Sequence, residues 1–191
     1  MNLAKIFISA FLIDNIVLMR FIALCPFIGM SVDVPKSFGM GLAVTFVMVM
    51  ATIVTWPLYH FVLVPLNIGF LQILVFILVI ATLVQLVEFF LKKQVPGLYG
   101  SMGIYLPLIT TNCAILAVTF DNITRGYNLA ESVVYAVGVA AGFLLSMVLL
   151  AGIRERVRTS PIPEFLKGTP MLFAATSLLA VAFMGFAGLV K

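Results

Sequence analysis

The stretch Ser132-Val-Val-Tyr-Ala-Val-Gly-Val-Ala-Ala-Gly-Phe-Leu-Leu-Ser-Met-Val-Leu-Leu-Ala-Gly-Ile153 runs from end to end without an Asp, Glu, Lys or Arg. A helix needs about 20 apolar residues to cross the roughly 30 Å hydrocarbon layer of a bilayer, and this stretch meets that length. Phe38–Pro57, Phe70–Val87, Leu98–Phe120 and Thr169–Val190 are equally free of charge. Leu3–Met30 is a sixth run, with Lys5 near its start and interrupted by Asp14 and Arg20. The strict alternation of barrel strands is absent, and helices are then the only form that satisfies the backbone in lipid. The pattern predicts an all-α integral membrane protein with six transmembrane helices.

Composition agrees. Of 191 residues, 63% are apolar and 9% charged, against roughly 45–50% and about 25% in soluble domains. So few charges cannot solvate a globule of this size, and a disordered chain is excluded as well. Two cysteines do not make a disulfide scaffold, and no heptad charge pattern supports a coiled coil. Six spans consume the chain and leave one membrane domain. The first run lacks a small-x-small cleavage site before Met30 and reads as a retained span; neither end carries a lipidation motif.

The basic residues orient the spans. Lys36, Lys92, Lys93, Arg154, Arg156, Arg158 and Lys167 fall in odd-numbered loops, whereas Lys5, Arg125 and Lys191 fall on the other side. The positive-inside rule then puts the odd loops in the cytoplasm and both termini outside. The net charge of +4 thus reflects topology and gives no reason to expect nucleic acid. Arg154–Lys167 reads as a topogenic loop or a docking surface for a soluble partner.

Three crossings per half invert the second half, approximately 97–191, relative to the first, 1–96. Such repeats place functional sites near the midplane in discontinuous helices. Each half has one cysteine late in its first span, Cys25 and Cys113, and each of those spans contains a helix breaker, Pro26 and Pro107. Broken helices, opened at Pro26 and around Ile109-Thr110-Thr111-Asn112, are expected to bring both thiols toward the bilayer centre.

Three readings of the cysteines stand side by side: inert packing residues, an intramembrane disulfide, or half of a metal site completed by another protein chain. Other motifs carry less. Gly39-Met40-Gly41 lacks the strand and third glycine of a dinucleotide loop. His60 has no ligand set nearby and reads as a loop residue at the outer interface. Gly138-x-x-x-Gly142 reads as close helix packing. Asp14, Asn15 and Arg20 share the first span, and Gln85 and Glu88 lie on one face of the third. Charges in lipid need a partner or a wet cavity, so Asp14 and Glu88 are either interfacial or part of an ion path.

Phe21-Ile-Ala-Leu-Cys25-Pro-Phe-Ile-Gly29 and Leu106-Pro-Leu-Ile-Thr-Thr-Asn-Cys113-Ala resemble the two cysteine motifs of the A-subunit family of Rnf complexes. Gly152-Ile-Arg-Glu-Arg156 and Ala182-Phe-Met-Gly-Phe-Ala-Gly-Leu-Val-Lys191 are similar to that family too, and NqrE of the sodium-pumping NADH:quinone reductase is a close relative. The resemblance implies one component, not catalytic alone, of a bacterial inner-membrane ferredoxin:NAD⁺ oxidoreductase that translocates Na⁺ or H⁺. It implies a [2Fe–2S] cluster relaying electrons across the membrane, with Cys25 and Cys113 as two iron ligands and two more from the homologous E subunit, which has opposite orientation. It also implies B, C, D and G subunits as partners. Thr111 and Asn112, beside Cys113, are expected to support the cluster. The alternative is a stand-alone inverted-repeat secondary transporter with Asp14 and Asn15 in its substrate site.

Overall fold

The computed structural model describes residues 3–66, 69–94, 112–161 and 168–185. Among the described residues every element is helical. Helix α1 (Leu3–Ile8) widens into a π turn over Ser9–Ile13, and α2 follows at Leu24–Met30. Helix α3 (Val34–Leu58) continues through a π turn, Tyr59–Leu63. The rest are α4 (Gln72–Gln94), α5 (Cys113–Thr124), α6 (Leu129–Arg158) and α7 (Thr169–Met184). Val34–Leu63, Gly69–Phe89 and Leu129–Arg158 are long and apolar enough to cross a membrane. Leu3–Ile13, Cys113–Thr124 and Thr169–Met184 are shorter apolar helices. Among the described residues each of the six charge-free or nearly charge-free runs holds helical structure, and Leu3–Met30 holds two helices, α1 and α2. The Pro96-Gly97 joint, Pro107 and Leu98–Thr111 lie outside the described residues.

Helix α6 is the hub, with α1, α3, α5 and α7 all packed on it and α3 most extensively. Lipid removes the hydrophobic drive between helices, so close backbone approach has to supply the attraction. The Gly138-x-x-x-Gly142 motif does this. A Cβ at Gly138 would stand 3.0 Å from the Ala10 Cβ, and one at Gly142 only 2.8 Å from the Phe11 carbonyl. On α3, a Cβ at Gly41 would meet Leu144 at 2.9 Å. Met40, Val44 and Met48 of α3 and Phe143, Met147 and Leu150 of α6 are fully buried in the same core. Helix α4 lies at the periphery, and Ile73, Leu74, Ile77, Leu78 and Leu86 expose their side chains as a lipid-facing surface requires.

The pairings give direction. Phe7 meets Gly138 and Phe11 meets Gly142, so α1 runs parallel to α6. Gly41 meets Leu144 and Trp56 donates to the Tyr127 carbonyl at 2.9 Å, so α3 runs antiparallel to α6. A first and fifth span in one direction and a second in the other have these relations.

The two ends of the bundle differ chemically. At one end Trp56, Tyr59 and His60 stack together near the turn between α5 and α6. His60 is exposed there, inside the π turn that extends α3, and not in a loop. The helix runs through Pro57, and the i→i+5 turn after it absorbs the disturbed hydrogen bonding. At the other end Arg154, Arg156 and Arg158 ride on the last turns of α6, so the expected loop begins only at Thr159. Cations there complement the partial negative charge of a helix C-terminus. Arg154 donates to the Ile28 carbonyl at 3.2 Å, and Arg158 pairs with Asp33 at 3.7 Å.

Candidate functional site

The first span is broken, as expected, but upstream of the expected place. The Asp14 N–H bonds back to the Ser9 carbonyl at 2.7 Å, which ends α1 in a π turn. Asn15, fully buried, then takes over the backbone. Its Nδ2 donates to the Gly142 carbonyl at 3.0 Å and to Ser146 Oγ at 2.8 Å, while its Oδ1 accepts from the N–H groups of Val17 and Leu18. Opened backbone at this depth must be paired inside the protein, and Asn15 does that pairing. Phe21 and Ala23 adopt left-handed φ values of 54° and 65°, a conformation that costs a residue with a Cβ about 1–2 kcal/mol. The chain resumes as α2 at Leu24. Cys25 is its second residue and Pro26 its third. Pro26 lies in the first turn, where a missing N–H forfeits no helical bond, so it starts a helix and does not break one.

Cys113 opens α5. Asn112 is its N-cap, accepting from the Ala114 N–H at 3.0 Å on Oδ1, and the Ile115 N–H bonds to the Asn112 carbonyl at 3.1 Å. Asn112 Nδ2 is buried with no partner. Thr111 lies outside the described residues. Asp121 is bonded to Tyr135, near the start of α6. Cys113 sits about 12 Å from Asp121 along α5, at about 1.5 Å per residue.

Both cysteines are exposed and no disulfide joins them. Cysteine is among the residues most often buried, and neither Cys25 nor Cys113 is. Helices α2 and α5 share α3 as a neighbour. Among the described residues no group of three or more His, Cys, Asp or Glu could hold a metal ion. The donor set is two exposed thiols, which fits half of a four-thiolate iron site and no complete one.

The charges of the first span have found partners. Asp14 pairs with Arg125 at 3.2 Å and Arg20 with Asp121 at 2.6 Å. Tyr135 donates to the same Asp121 oxygen at 2.9 Å, and the Arg125 guanidinium lies 5.2 Å from the Tyr135 ring centroid. Burial lowers the basicity of Arg125, but bonds to Tyr127 and Asp14 raise it further, so it stays a fixed cation. Run lengths alone pass over Asp121 and Arg125 because these residues end a span. The signal is present nonetheless, since Asp14 and Arg20 require opposite charges and these two lie at the end of α5. Asn122 and Ser132, buried with unpartnered polar atoms, carry no such signal. Glu88 is half-buried on α4, which packs on α3 and α5, whereas Asp14 follows α1 on α6. The structure does not bring these two carboxylates into one cluster.

A family model described as Rnf-Nqr subunit, membrane protein, matches residues 3–190. The chain belongs to the Rnf-Nqr family. Its similarity to Rnf A subunits is full-length. It is 54% identical over 189 residues to the A subunit of the ion-translocating oxidoreductase complex of Syntrophotalea carbinolica, covering 99% of this chain and 98% of the relative. It is 50% identical, with the same coverage, to the A subunit of the Na⁺-translocating ferredoxin:NAD⁺ oxidoreductase complex of Acetobacterium woodii. The A subunit of the proton-translocating ferredoxin:NAD⁺ oxidoreductase complex of Clostridium ljungdahlii is 46% identical, covering 97% of this chain and 96% of the relative. Rnf-Nqr relatives of near-equal similarity thus carry names with different coupling ions.

Proposed function

We propose that this chain is the A subunit of an Rnf-type ion-translocating ferredoxin:NAD⁺ oxidoreductase in a bacterial inner membrane. Its six spans form two inverted three-helix repeats with both termini outside. Cys25 and Cys113 supply two of the four thiolates of a [2Fe–2S] cluster, and a homologous E subunit supplies the others. The B, C, D and G subunits complete the assembly. When bound, the cluster accepts and passes on one electron at a time, which suits relay between carriers on opposite faces.

The observation that carries this reading is the pair of exposed thiols, each in the first turn of a helix that follows a break or a capped start. Asn112 fixes the backbone of Cys113 and keeps Nδ2 available as a donor to a thiolate. Asn15 holds the first break open, and the strained Phe21–Ala23 backbone sets the direction of Cys25. Asp14 and Glu88 belong to the ion path, in which Asp14 exchanges Arg125 for the passing cation. Both Na⁺ and H⁺ suit a carboxylate of this kind.

Serine is a poor substitute for a soft thiolate on iron. Cys25→Ser and Cys113→Ser should each abolish the same [2Fe–2S] resonance in the assembled complex and stop transmembrane electron flow, while flavin reduction on the soluble side persists. The purified chain alone should retain little iron. Full cluster signal and turnover in both serine variants would overturn the assignment.

A further inference from the structure

Beneath the basic end of the bundle, α6 and α7 diverge around a cavity of about 320 Å³. Its mouth carries Arg154, Arg158 and Ser160, and its floor Leu150, Leu172 and Ala175. A second hollow of about 310 Å³ shares Ile153, Met171 and Ala175 with the first and continues past Leu178 and Ala182. The two form one groove, polar at the mouth and apolar along its length. Asp33 pairs with Arg158 at the mouth and also with Lys36 at 2.8 Å. At this end of the bundle Lys36, Arg154, Arg156 and Arg158 stand against Asp33 and Glu155, which leaves about two positive charges. Arg158 keeps most of its side chain exposed, 63%, and its contact to Asp33 is long at 3.7 Å.

We infer that this groove binds an anionic phospholipid, its phosphate at Arg154 and Arg158 and one acyl chain along α7. Charge complementarity selects the headgroup, and the apolar continuation selects a lipid over a soluble phosphate, which would leave the lower half of the groove unfilled. Basic pockets between membrane helices bind anionic headgroups in this manner. The site is remote from the Asp14–Arg125 and Arg20–Asp121 pairs at the opposite end of α6, and its occupancy does not depend on the cysteines.

The test uses the assembled complex in nanodiscs with phosphatidylglycerol or phosphatidylcholine bearing a photoreactive acyl chain. The labelled peptides are then mapped. Phosphatidylglycerol should label the Met171–Ala182 face of α7 several-fold above phosphatidylcholine. Arg158→Gln should lower that labelling roughly fivefold, and Lys93→Gln, on another helix, should leave it unchanged. Arg154 also bonds to Ile28, so a weakly folding Arg154→Gln is replaced by Ala174→Phe, which fills the exposed side of the groove and should reduce labelling with no change in charge. Equal labelling by the two lipids, or labelling insensitive to both Arg158→Gln and Ala174→Phe, would overturn the proposal. So would an unlabelled α7 face in a complex labelled elsewhere, because a neighbouring protein would then cover the groove.

Discussion

Arg20 Nη1 lies 2.6 Å from Asp121 Oδ2, joining the interrupted first span to the end of α5 across 101 positions of sequence. The pair ties the segment that leads into α2, which carries Cys25, to α5, which carries Cys113. With Tyr135 donating to the same carboxylate oxygen, it forms a three-residue network that holds the broken segment against α5 and α6. Neither side chain is fully buried, at 35% and 18% exposed, so the link is of moderate strength and suited to a segment that has to be held yet not locked.

Arg20→Gln and Asp121→Asn should each destabilise the protein by about 1–2 kcal/mol, and the double variant by less than the sum, with a coupling of about 1 kcal/mol. Thermal unfolding in detergent, followed by fluorescence of the single Trp56, measures the cycle. Strict additivity would show that the contact contributes nothing.

Asn15→Leu should be more damaging, about 2–4 kcal/mol. It leaves the buried Val17 and Leu18 N–H groups without the side-chain oxygen that accepts from them. The same melting experiment reads it, and the iron content of the assembled complex should fall with it. A variant as stable as the parent would mean that the break pairs its own backbone without Asn15.

The glycines on α6 should separate by their neighbours. Gly142→Ala meets a backbone carbonyl at 2.8 Å and should cost about 1–3 kcal/mol. Gly152→Ala has nothing within 4 Å of its new Cβ and should be neutral or slightly stabilising. Equal melting temperatures for the two variants would contradict the close approach of α1 to α6.

Asp14→Asn and Glu88→Gln should lower the number of ions moved per electron more than the rate of electron transfer in proteoliposomes. Unchanged stoichiometry in both would leave Asp14 as the structural partner of Arg125 and Glu88 as an interfacial charge.

Topology is tested by reporter fusions. Fusions after Lys93 and Lys167 should read cytoplasmic and one at Lys191 external. A cytoplasmic C-terminus would overturn either the six-span count or the orientation.

Much of the architecture is legible from residue type alone. Charge-free runs locate every apolar helix among the described residues except α1 and α2, because removing a charge from water costs more than local propensity can offset. The Gly138-x-x-x-Gly142 spacing announces a close contact, and the cysteine motifs announce the family. What run lengths do not convey is where the first helix opens. Proline is the visible breaker, but a proline in a first turn begins a helix, and the opening belongs to Asn15, whose side chain reaches partners on α6.

The sequence by itself determined that the chain is helical and membrane-embedded, and that Asp14 and Arg20 needed opposite charges. Both follow from solvation, a property each residue carries wherever it sits. Tertiary structure alone decided that Arg125 and Asp121 are those partners, that Phe21 and Ala23 are held in left-handed backbone, and that α6 and α7 leave a basic-mouthed groove. These depend on which helix faces which, and that is set by close packing between segments more than a hundred residues apart.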